Sequence, residues 1–215
     1  MATQSFAIGI PTLNRSDLLN KSLKKYFSDF PNTQIYILDN GNQDIVARED
    51  NFHYLPQEKN LGVAKSWNAL CEIIFKNHDF ALILNDDIYL GRSEKEVKKT
   101  ISSQKFDLLR CEQEYHLCSF ILSSKCFSKH QFDETFYPAY FEDRDYFYRL
   151  KLDGKKIIEN KNLNPEIFLN SQTISSEGGD PKINKNFRAL ANFYIEKWGG
   201  LPERETFTTP FNFNI

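Results

Sequence analysis

Short apolar runs alternate with helix-like patterns through the first part of the chain. The apolar runs predict strands, and the segments between them, with apolar residues three or four positions apart, predict helices. This alternation is typical of a parallel sheet with right-handed crossover connections. We therefore predict an α/β fold, with strands over residues 6–10, 34–38, 53–55 and 80–84 and helices over residues 16–27 and 63–76.

The first strand and the first helix carry clear local signals. We expect the strand from Phe6 to Ile10 to stop at Pro11, because proline has no amide hydrogen to donate within a sheet. Ser16 or Asp17 can cap the helix that follows. The face of this helix that we expect to be buried consists of Leu18, Leu19, Ser22, Leu23 and Tyr26.

Polar residues come directly after each of the three clear strands. Parallel strands end at the same edge of a sheet, and open α/β folds bind their ligands at that edge. We therefore expect Thr12, Asp39 and Asp87 to lie close together.

The pattern changes in the second half of the chain. An aromatic and acidic segment over residues 132–145 leads into a helix that we expect to end at Asp153 and Gly154. Ser171 to Asn186 predicts a loop, and the tail from Leu201 predicts no element. The other predicted elements are helices over residues 94–103 and 187–198 and strands over residues 106–111, 117–123, 155–158 and 166–169.

Composition limits the classes of function. A chain of 215 residues has room for one ordinary domain, and its net charge of −2 disfavours a nucleic-acid-binding protein. No apolar stretch reaches the ~18 residues of a spanning helix, and the N-terminus lacks a signal-peptide layout, so we expect a cytoplasmic protein. The four cysteines and four histidines have no zinc-site spacing, which predicts reduced thiols and no zinc site of that type.

The adjacent acids Asp86 and Asp87 follow the most apolar strand. Two neighbouring carboxylates repel unless a cation or a proton offsets their charge, and such oxygen ligands suit Mg²⁺ or Mn²⁺. The alternative is a solvated turn with two exposed acids. The position after a buried strand favours a site.

A second acidic cluster contains Glu142, Asp143 and Asp145. These acids could simply occupy the first turn of a helix, where they interact favourably with its dipole. Aromatic residues surround them, however, and aromatic walls raise the basicity of a carboxylate. A carboxylate placed in this way is a candidate general base.

Six short motifs, taken in order, resemble the family-2 glycosyltransferases of the GT-A fold. The motifs are IGIPTLNR, ILDNG, NLGVAKSWN, LNDD, FDETFYPAYFEDRDYFYRL and KWGG, and they extend from Ala7 to Gly200. The resemblance implies a single-domain GT-A fold with a mixed, mostly parallel sheet flanked by helices. It also implies a catalytic domain over residues 1–200, with a nucleotide-sugar-binding half (1–90) and an acceptor-binding half (91–200), followed by a tail (201–215).

The resemblance implies a role for each matched residue. Asp87 would bind the metal, Mn²⁺ or Mg²⁺. Asp143 would be the base that deprotonates the acceptor hydroxyl, and Glu142 would bind the acceptor or hold Asp143 in place. The nucleotide sugar would be bound by Pro11, Thr12, Arg15, Asp39, Asn60, Gly62, Lys65, Asn85 and Asp86.

The implied activity is transfer of a hexosyl or deoxyhexosyl group with inversion, from a UDP-linked donor to a glycan or lipid-linked acceptor. The products would be surface polysaccharides or glycoprotein glycans. Two positions depart from the family pattern. Asn85 replaces the first acid of an Asp-x-Asp motif, and Ser171 to Glu177 lacks a histidine that completes the metal site in many relatives. The metal would then rely on Asp87, phosphate oxygens and water.

Two other classes of protein remain as alternatives. Asn85 favours a catalytically inactive domain that binds a nucleotide sugar or a glycan within a larger assembly. A nucleotidyltransferase would need a glycine-rich phosphate loop after the first strand, and GIPTLNR is too poor in glycine to form one.

Aromatic residues make up 14% of the chain, and nine of them lie between Phe127 and Tyr148. We expect these rings to form walls of the acceptor site as well as core, together with the 171–186 loop and the tail. Two interpretations of the tail stay open. Phe207, Phe211 and Phe213 could make peripheral contact with a membrane or a partner, or the tail could fold back on the domain.

Overall fold

The computed structural model describes residues 4–43, 45, 49–111, 117–160, 163, 166–167 and 181–213. Its strands are β1 (Phe6–Thr12), β2 (Ile35–Asp39), β3 (Phe52–Pro56), β4 (Phe80–Leu84), β5 (Ile88–Tyr89), β6 (Leu108–Arg110), β7 (Ser119–Ser123), β8 (Ile157–Glu159) and β9 (Glu166–Ile167). Its helices are α1 (Ser16–Asp29), α2 (Val63–Ile74), α3 (Glu94–Ser103), α4 (Ser124–Phe127), α5 (Glu142–Leu152) and α6 (Pro181–Trp198), and a short 3₁₀ turn spans Pro210–Asn212.

Seven strands of the described chain form one sheet in the order β3-β2-β1-β4-β7-β6-β8. The first four strands in chain order are mutually parallel, and β7 runs antiparallel to both β4 and β6. Strand β8 is parallel to β6, and β5 and β9 form a separate antiparallel ribbon. The predicted α/β fold with a mixed, mostly parallel sheet is thus confirmed.

The central strand β4 contributes to the core on both faces of the sheet. Phe80, Leu82 and Leu84 point to the face covered by α1 and α3, while Ala81 and Ile83 point to the face covered by α2 and α5. Alternation of this kind follows from the two-residue repeat of a strand. It explains why the whole run is apolar.

Helix α1 buries the face that its sequence pattern predicts. Leu18, Leu19, Ser22, Leu23 and Tyr26 are its buried residues. Tyr26 also donates a hydrogen bond to the carbonyl oxygen of Ile88 at 2.7 Å. This helix therefore fixes the segment that follows the Asp86–Asp87 pair.

Several predicted boundaries shift, mostly by one or two residues, and two of the differences have a clear physical reason. Strand β1 continues through Pro11 to Thr12, because its pairing with β4 ends at Gly9 and the missing amide hydrogen is not needed beyond that point. Helix α6 begins at Pro181, so residues 181–186 are helical and not part of a loop. Proline is favoured at a first helical position, where an amide hydrogen has no intrahelical partner. Residues 171–180 of the predicted loop lie outside the described chain.

The tail folds back on the domain as far as the structure describes it. The backbone amides of Thr206 and Phe207 both donate to the carbonyl oxygen of Trp198 at 3.0 Å. The hydroxyl of Tyr148 donates to the carbonyl oxygen of Phe207 at 2.8 Å, and Phe211 packs on Phe193. The prediction that the tail contains no element was wrong, because the 3₁₀ turn at Pro210–Asn212 lies in it. No described helix is both long and apolar enough to span a bilayer.

A buried ionic network joins α5 to α6. Asp145 is completely buried, and it accepts hydrogen bonds from Arg149 at 2.7 Å and from Trp198 Nε1 at 2.9 Å. Its carboxylate also pairs with Lys197, which in turn contacts Asp133 at 2.6 Å. Asp145 therefore stabilises the packing of α5 against α6.

Candidate functional site

A cavity of about 650 Å³ opens at the ends of β1 and β4 and extends to the start of α5. Its walls come from well-separated parts of the chain, including the tail, which contributes Pro202 and Glu203. The residues that the sequence pointed to and that line this cavity are Pro11, Thr12, Asn60, Gly62, Asn85, Asp86, Glu142 and Asp143.

The sheet brings the polar strand ends together. Thr12 lies opposite Asp39 in the register of β1 and β2. The hydroxyl of Thr12 donates to the carboxylate of Asp86 at 2.8 Å, which joins the end of β1 to the end of β4. On the other side of β4, the backbone amide of Asn85 donates to the carbonyl oxygen of Cys118 at 2.9 Å. The expected convergence is therefore present for Thr12 and Asp39, and Asp86, the neighbour of Asp87, joins them at the end of β4.

The two adjacent acids after β4 are both buried, and Asp87 is only 5% exposed. Burial raises the pKa of Asp87 to about 6, and the neighbouring charge of Asp86 acts in the same direction. The solvated turn considered from sequence is therefore wrong for this pair. Two adjacent buried acids repel each other when both are ionised, and a divalent cation would offset their charge.

The chemistry of the pair suits a hard divalent cation. Carboxylate oxygens are the ligands that Mg²⁺ and Mn²⁺ prefer. In the part of the chain that the structure describes, no group of three or more His, Cys, Asp or Glu side chains is arranged to hold a metal ion. Asp86 and Asp87 would thus leave most coordination positions to water and to oxygens of a bound phosphate.

Four predicted site residues lie outside the cavity lining, namely Arg15, Asp39, Lys65 and the predicted metal ligand Asp87. Arg15 is buried and donates to Asp17 at 2.9 Å. This hydrogen bond raises the pKa of Arg15, and the charges of Asp86 and Asp87 add to the effect. Arg15 is therefore within electrostatic range of the acidic pair.

Asp39 is completely buried and holds the loop that follows β2. Its carboxylate accepts hydrogen bonds from the amide of Gly41 at 2.8 Å, from the side chain of Gln43 at 2.9 Å and from the hydroxyl of Tyr54 at 2.7 Å. Burial alone would raise the pKa of Asp39, but these bonds bring the net value below its usual range.

Lys65 lies on the exposed side of α2. Its ammonium group pairs with the carboxylate of Glu134 at 3.4 Å, and both side chains are about half exposed. The structure thus places Lys65 beside the segment that leads to α5.

Helix α5 starts abruptly and points two acids toward the cavity. The two preceding residues, Tyr140 and Phe141, have positive φ angles of 86° and 70°, which are costly for residues with a side chain. Glu142 and Asp143 follow in the first turn, and Asp143 accepts a hydrogen bond from the amide of Arg144 at 2.7 Å. The strained turn therefore sets the direction in which both acids enter the cavity.

Glu142 has an unusual environment. It is 7% exposed, and its Oε2 atom is buried without a hydrogen-bond partner among the described residues. Burial raises the pKa of Glu142 well above its ordinary value, and the adjacent Asp143 adds to the effect. Glu142 thus keeps its proton to higher pH than an exposed glutamate does.

Several lining residues were not singled out from sequence. Asn40 donates to the hydroxyl of Ser66 at 2.9 Å and accepts from the amide of Leu61 at 2.9 Å, so it joins the β2 loop to α2. Its position directly after Asp39 was an available signal. Trp67 and Phe187 also line the cavity, but both stand in apolar helical patterns that are equally typical of core residues.

The aromatic cluster between Phe127 and Tyr148 is divided between core and cavity. Tyr140 and Phe141 line the cavity. Phe132, Phe136 and Tyr146 are buried in the core.

No protein-family model and no curated protein sequence matches this chain. Solved structures do match it. Glucosyl-3-phosphoglycerate synthase from Mycobacterium tuberculosis, in complex with Mn²⁺, UDP and phosphoglyceric acid, has a TM-score of 0.54 and 12% identity, with 74% of this chain and 68% of that chain covered. A mutant of Drosophila β1,4-galactosyltransferase 7, in complex with manganese, UDP-galactose and xylobiose, has a TM-score of 0.53 and 10% identity over 82% of this chain and 76% of that chain.

A third solved structure matches this chain over almost the whole of its own length. It is assigned to the nucleotide-diphospho-sugar transferases of Desulfovibrio desulfuricans, with a TM-score of 0.53 and 9% identity over 89% of this chain and 98% of that chain. Together these similarities confirm that the chain has the GT-A fold in a single small domain.

Proposed function

We propose that this protein is a glycosyltransferase that uses a UDP-linked sugar and a divalent cation, and transfers the sugar to a hydroxyl of a glycan or lipid-linked acceptor. One observation carries the proposal. The acidic pair at the start of α5 lines the same cavity as Thr12, Asn85 and Asp86 at the ends of β1 and β4. UDP or UDP-galactose and Mn²⁺ in two similar structures support this assignment.

The strand ends would form the donor side of the site. Asp86 and Asp87 would hold Mn²⁺ or Mg²⁺, and the hydroxyl of Thr12 orients Asp86 for this role. When bound, a divalent cation supplies charge neutralisation for a diphosphate leaving group. We further assign Pro11, Asn60 and Gly62 to the nucleotide, with Arg15, Asp39 and Lys65 acting from outside the cavity.

The start of α5 would form the acceptor side. Asp143 takes the proton from the attacking hydroxyl, and a carboxylate in this position contributes rate as a general base. Glu142, whose pKa is raised by burial and by Asp143, binds the acceptor beside it. A single displacement from the face opposite the diphosphate inverts the anomeric carbon.

Nucleotide binding provides the first test of this proposal. We expect UDP and UDP-sugars to raise the thermal midpoint in the presence of Mn²⁺, because a ligand that binds only the folded state stabilises it. We also expect slow hydrolysis of the correct UDP-sugar. A protein that neither binds nor hydrolyses any of these compounds with Mn²⁺ would contradict the proposal.

Asp143→Asn separates chemistry from binding. Loss of a general base should lower the rate of transfer or hydrolysis by roughly 10²–10⁴-fold while UDP binding persists. Asp153→Asn is the matched control, because Asp153 lies at the far end of the same helix and pairs with His130. If wild-type protein binds UDP but transfers to no acceptor and hydrolyses no donor, the inactive binding domain suggested by Asn85 is the better description.

A further inference from the structure

One wall of the cavity consists largely of apolar side chains. The turn before α5 contributes four consecutive lining residues, Pro138–Phe141, and α6 contributes Phe187. Because the turn ends at Glu142, this wall adjoins the acids that we assign to the acceptor side. We call the rings of Tyr140, Phe141 and Phe187 the aromatic strip.

The aromatic strip is a continuous set of rings. The centroid of the Phe187 ring lies 5.1 Å from that of Tyr140 and 5.3 Å from that of Phe141. Phe141 also packs on the buried ring of Tyr194, with centroids 5.6 Å apart. Phe187 is 46% exposed. The strip therefore extends from the core of the domain through the cavity wall to solvent.

The aromatic strip offers few hydrogen bonds. Of its three side chains, only Tyr140 carries a polar group. Burial raises the pKa of Tyr140, and the charge of Glu142 adds to the effect, so this hydroxyl lies at the end of the strip that faces the acids. Sugar hydroxyls on the remaining rings would lose water without gaining partners. An apolar group gains free energy when it leaves water for such a wall, so the strip favours an apolar group.

The angles between the rings indicate which apolar group fits. The Phe187 ring meets that of Tyr140 at 81° and that of Phe141 at 45°, so neither pair is parallel. A flat aromatic ligand needs a face or an edge in a defined orientation and would match one of these rings at a time. A flexible alkyl chain can contact all three. The geometry therefore fits an alkyl chain better than a planar group.

Exposed apolar side chains continue beyond the strip. Tyr137 is half exposed, and its hydroxyl donates to the carbonyl oxygen of Asn60, a lining residue, at 3.4 Å. Leu201 is exposed to a similar extent and directly precedes Pro202 of the lining. Apolar side chains grouped in this way around a cavity are typical of a binding surface. A chain bound on the strip would thus meet further apolar groups outside the cavity.

We propose that the aromatic strip binds the alkyl chain of a lipid-linked acceptor, and so makes the protein select acceptors that carry such a chain close to the attacking hydroxyl. The proposal rests on the glycosyltransferase function above and commits to the lipid-linked class among the acceptors named there. The chain leaves the cavity past Phe187.

Alkyl glycosides of increasing chain length test the proposal. The probes are methyl, butyl and octyl glucosides and galactosides below their micelle concentrations, with UDP and Mn²⁺ present, and the Kd is measured by NMR titration. Each methylene group that leaves water for an apolar wall adds to affinity. For at least one of the two sugars, the octyl glycoside should therefore bind roughly tenfold or more tightly than the methyl glycoside. Equal affinities across the series overturn the proposal.

Variants show whether the strip is responsible. Phe187→Ser should lower the preference for the octyl chain roughly threefold or more, whereas Phe187→Leu should keep most of it, because the chain needs an apolar contact and not an aromatic face. Ile195→Ser is the matched control, since Ile195 is 37% exposed on the same helix and lies outside the cavity lining. Equal losses for Phe187→Ser and Ile195→Ser would contradict the proposal.

Two further outcomes separate this inference from the function on which it rests. If Phe187→Leu loses as much as Phe187→Ser and the methyl glycosides weaken as well, the strip stacks on sugar rings and the alkyl-chain proposal is wrong. If UDP does not bind with Mn²⁺, the glycosyltransferase function is contradicted. The chain-length series without UDP then still decides whether the strip binds an alkyl chain.

Discussion

Glu142 shows at the scale of one residue how the cavity is kept ready for a ligand. Its carboxyl group is buried, lies beside a second acid and has one oxygen without a partner in the described chain. Each of these conditions destabilises the folded protein when Glu142 is ionised. Glu142 therefore does not serve the stability of the fold. Its burial in the cavity wall is best explained by a role in ligand binding.

Glu142→Gln should therefore stabilise the ligand-free protein. Because the pKa of Glu142 is raised above its ordinary 4.5, the folded state binds more protons than the unfolded state as pH rises through this range. The free energy of unfolding of the wild type should thus fall as pH rises from 4.5 through the raised pKa, and the glutamine variant should lack this component. Each unit by which the pKa is raised corresponds to ~1.4 kcal/mol of stability lost at higher pH.

Urea denaturation between pH 4 and pH 8 measures this difference. Glu196→Gln on the exposed face of α6 is the control and should follow the wild-type pH dependence. Parallel curves for wild type and Glu142→Gln would show that burial of Glu142 carries no such cost.

The start of α2 controls the site at the scale of an element. Gly62 has a φ angle of 76°, and a Cβ atom there would lie 2.8 Å from both the carbonyl oxygen of Pro138 and the ring of Tyr137. The amide of Val63 donates to that same carbonyl oxygen at 2.8 Å. Helix α2 is therefore joined to the turn that leads into Glu142.

Gly62→Ala should push these two segments apart. We expect a loss of roughly 2 kcal/mol or more in the free energy of unfolding, from backbone strain and from the steric clash, together with a loss of transfer activity. Gly154→Ala is a matched control, because Gly154 also has a positive φ of 60° but no atom lies within 4 Å of its added Cβ. If the two variants lose equal stability in urea denaturation, contact with the Tyr137–Pro138 segment is not important.

Sequence patterns predict elements well where one local signal dominates. The bounds of β4 and α3 agree with the sequence prediction, because an unbroken apolar run and a charged amphipathic segment each allow one interpretation. Pro11 was misjudged because its tolerance in β1 depends on where β4 stops pairing. Sequence could also not separate the core ring of Phe132 from the cavity ring of Phe141, since the difference depends on the turn before α5.

The tail matters at the scale of the whole molecule, because it closes the domain and forms part of the cavity wall. Tyr194 is fully buried, and its hydroxyl donates to Glu205 at 2.5 Å. Pro202 and Glu203 line the cavity directly. The tail thus connects the packing of α6 to the candidate site.

Truncation after Gly200 should lower the thermal midpoint by roughly 5 °C or more. The loss of contacts on Tyr194, Tyr148 and Trp198 should cost a few kcal/mol, and each kcal/mol corresponds to about 2–4 °C in a chain of this size. The open cavity wall should also weaken binding of sugar probes. Truncation after Phe211 removes the exposed Phe213 and should change neither quantity in a thermal-shift assay. An unchanged thermal midpoint after truncation at Gly200 would show that the tail does not stabilise the domain.

The central position of β4 has a consequence for how the chain is made. One edge of β4 pairs with β1, and the other pairs with β7, which begins 35 residues after β4 ends (Leu84 to Ser119). During synthesis, the first four strands leave the ribosome while this second edge still lacks its neighbour. An unpaired, fully apolar strand edge is a template for association with other chains. Residues 1–90 alone should therefore self-associate, and the two halves named from sequence depend on each other to fold.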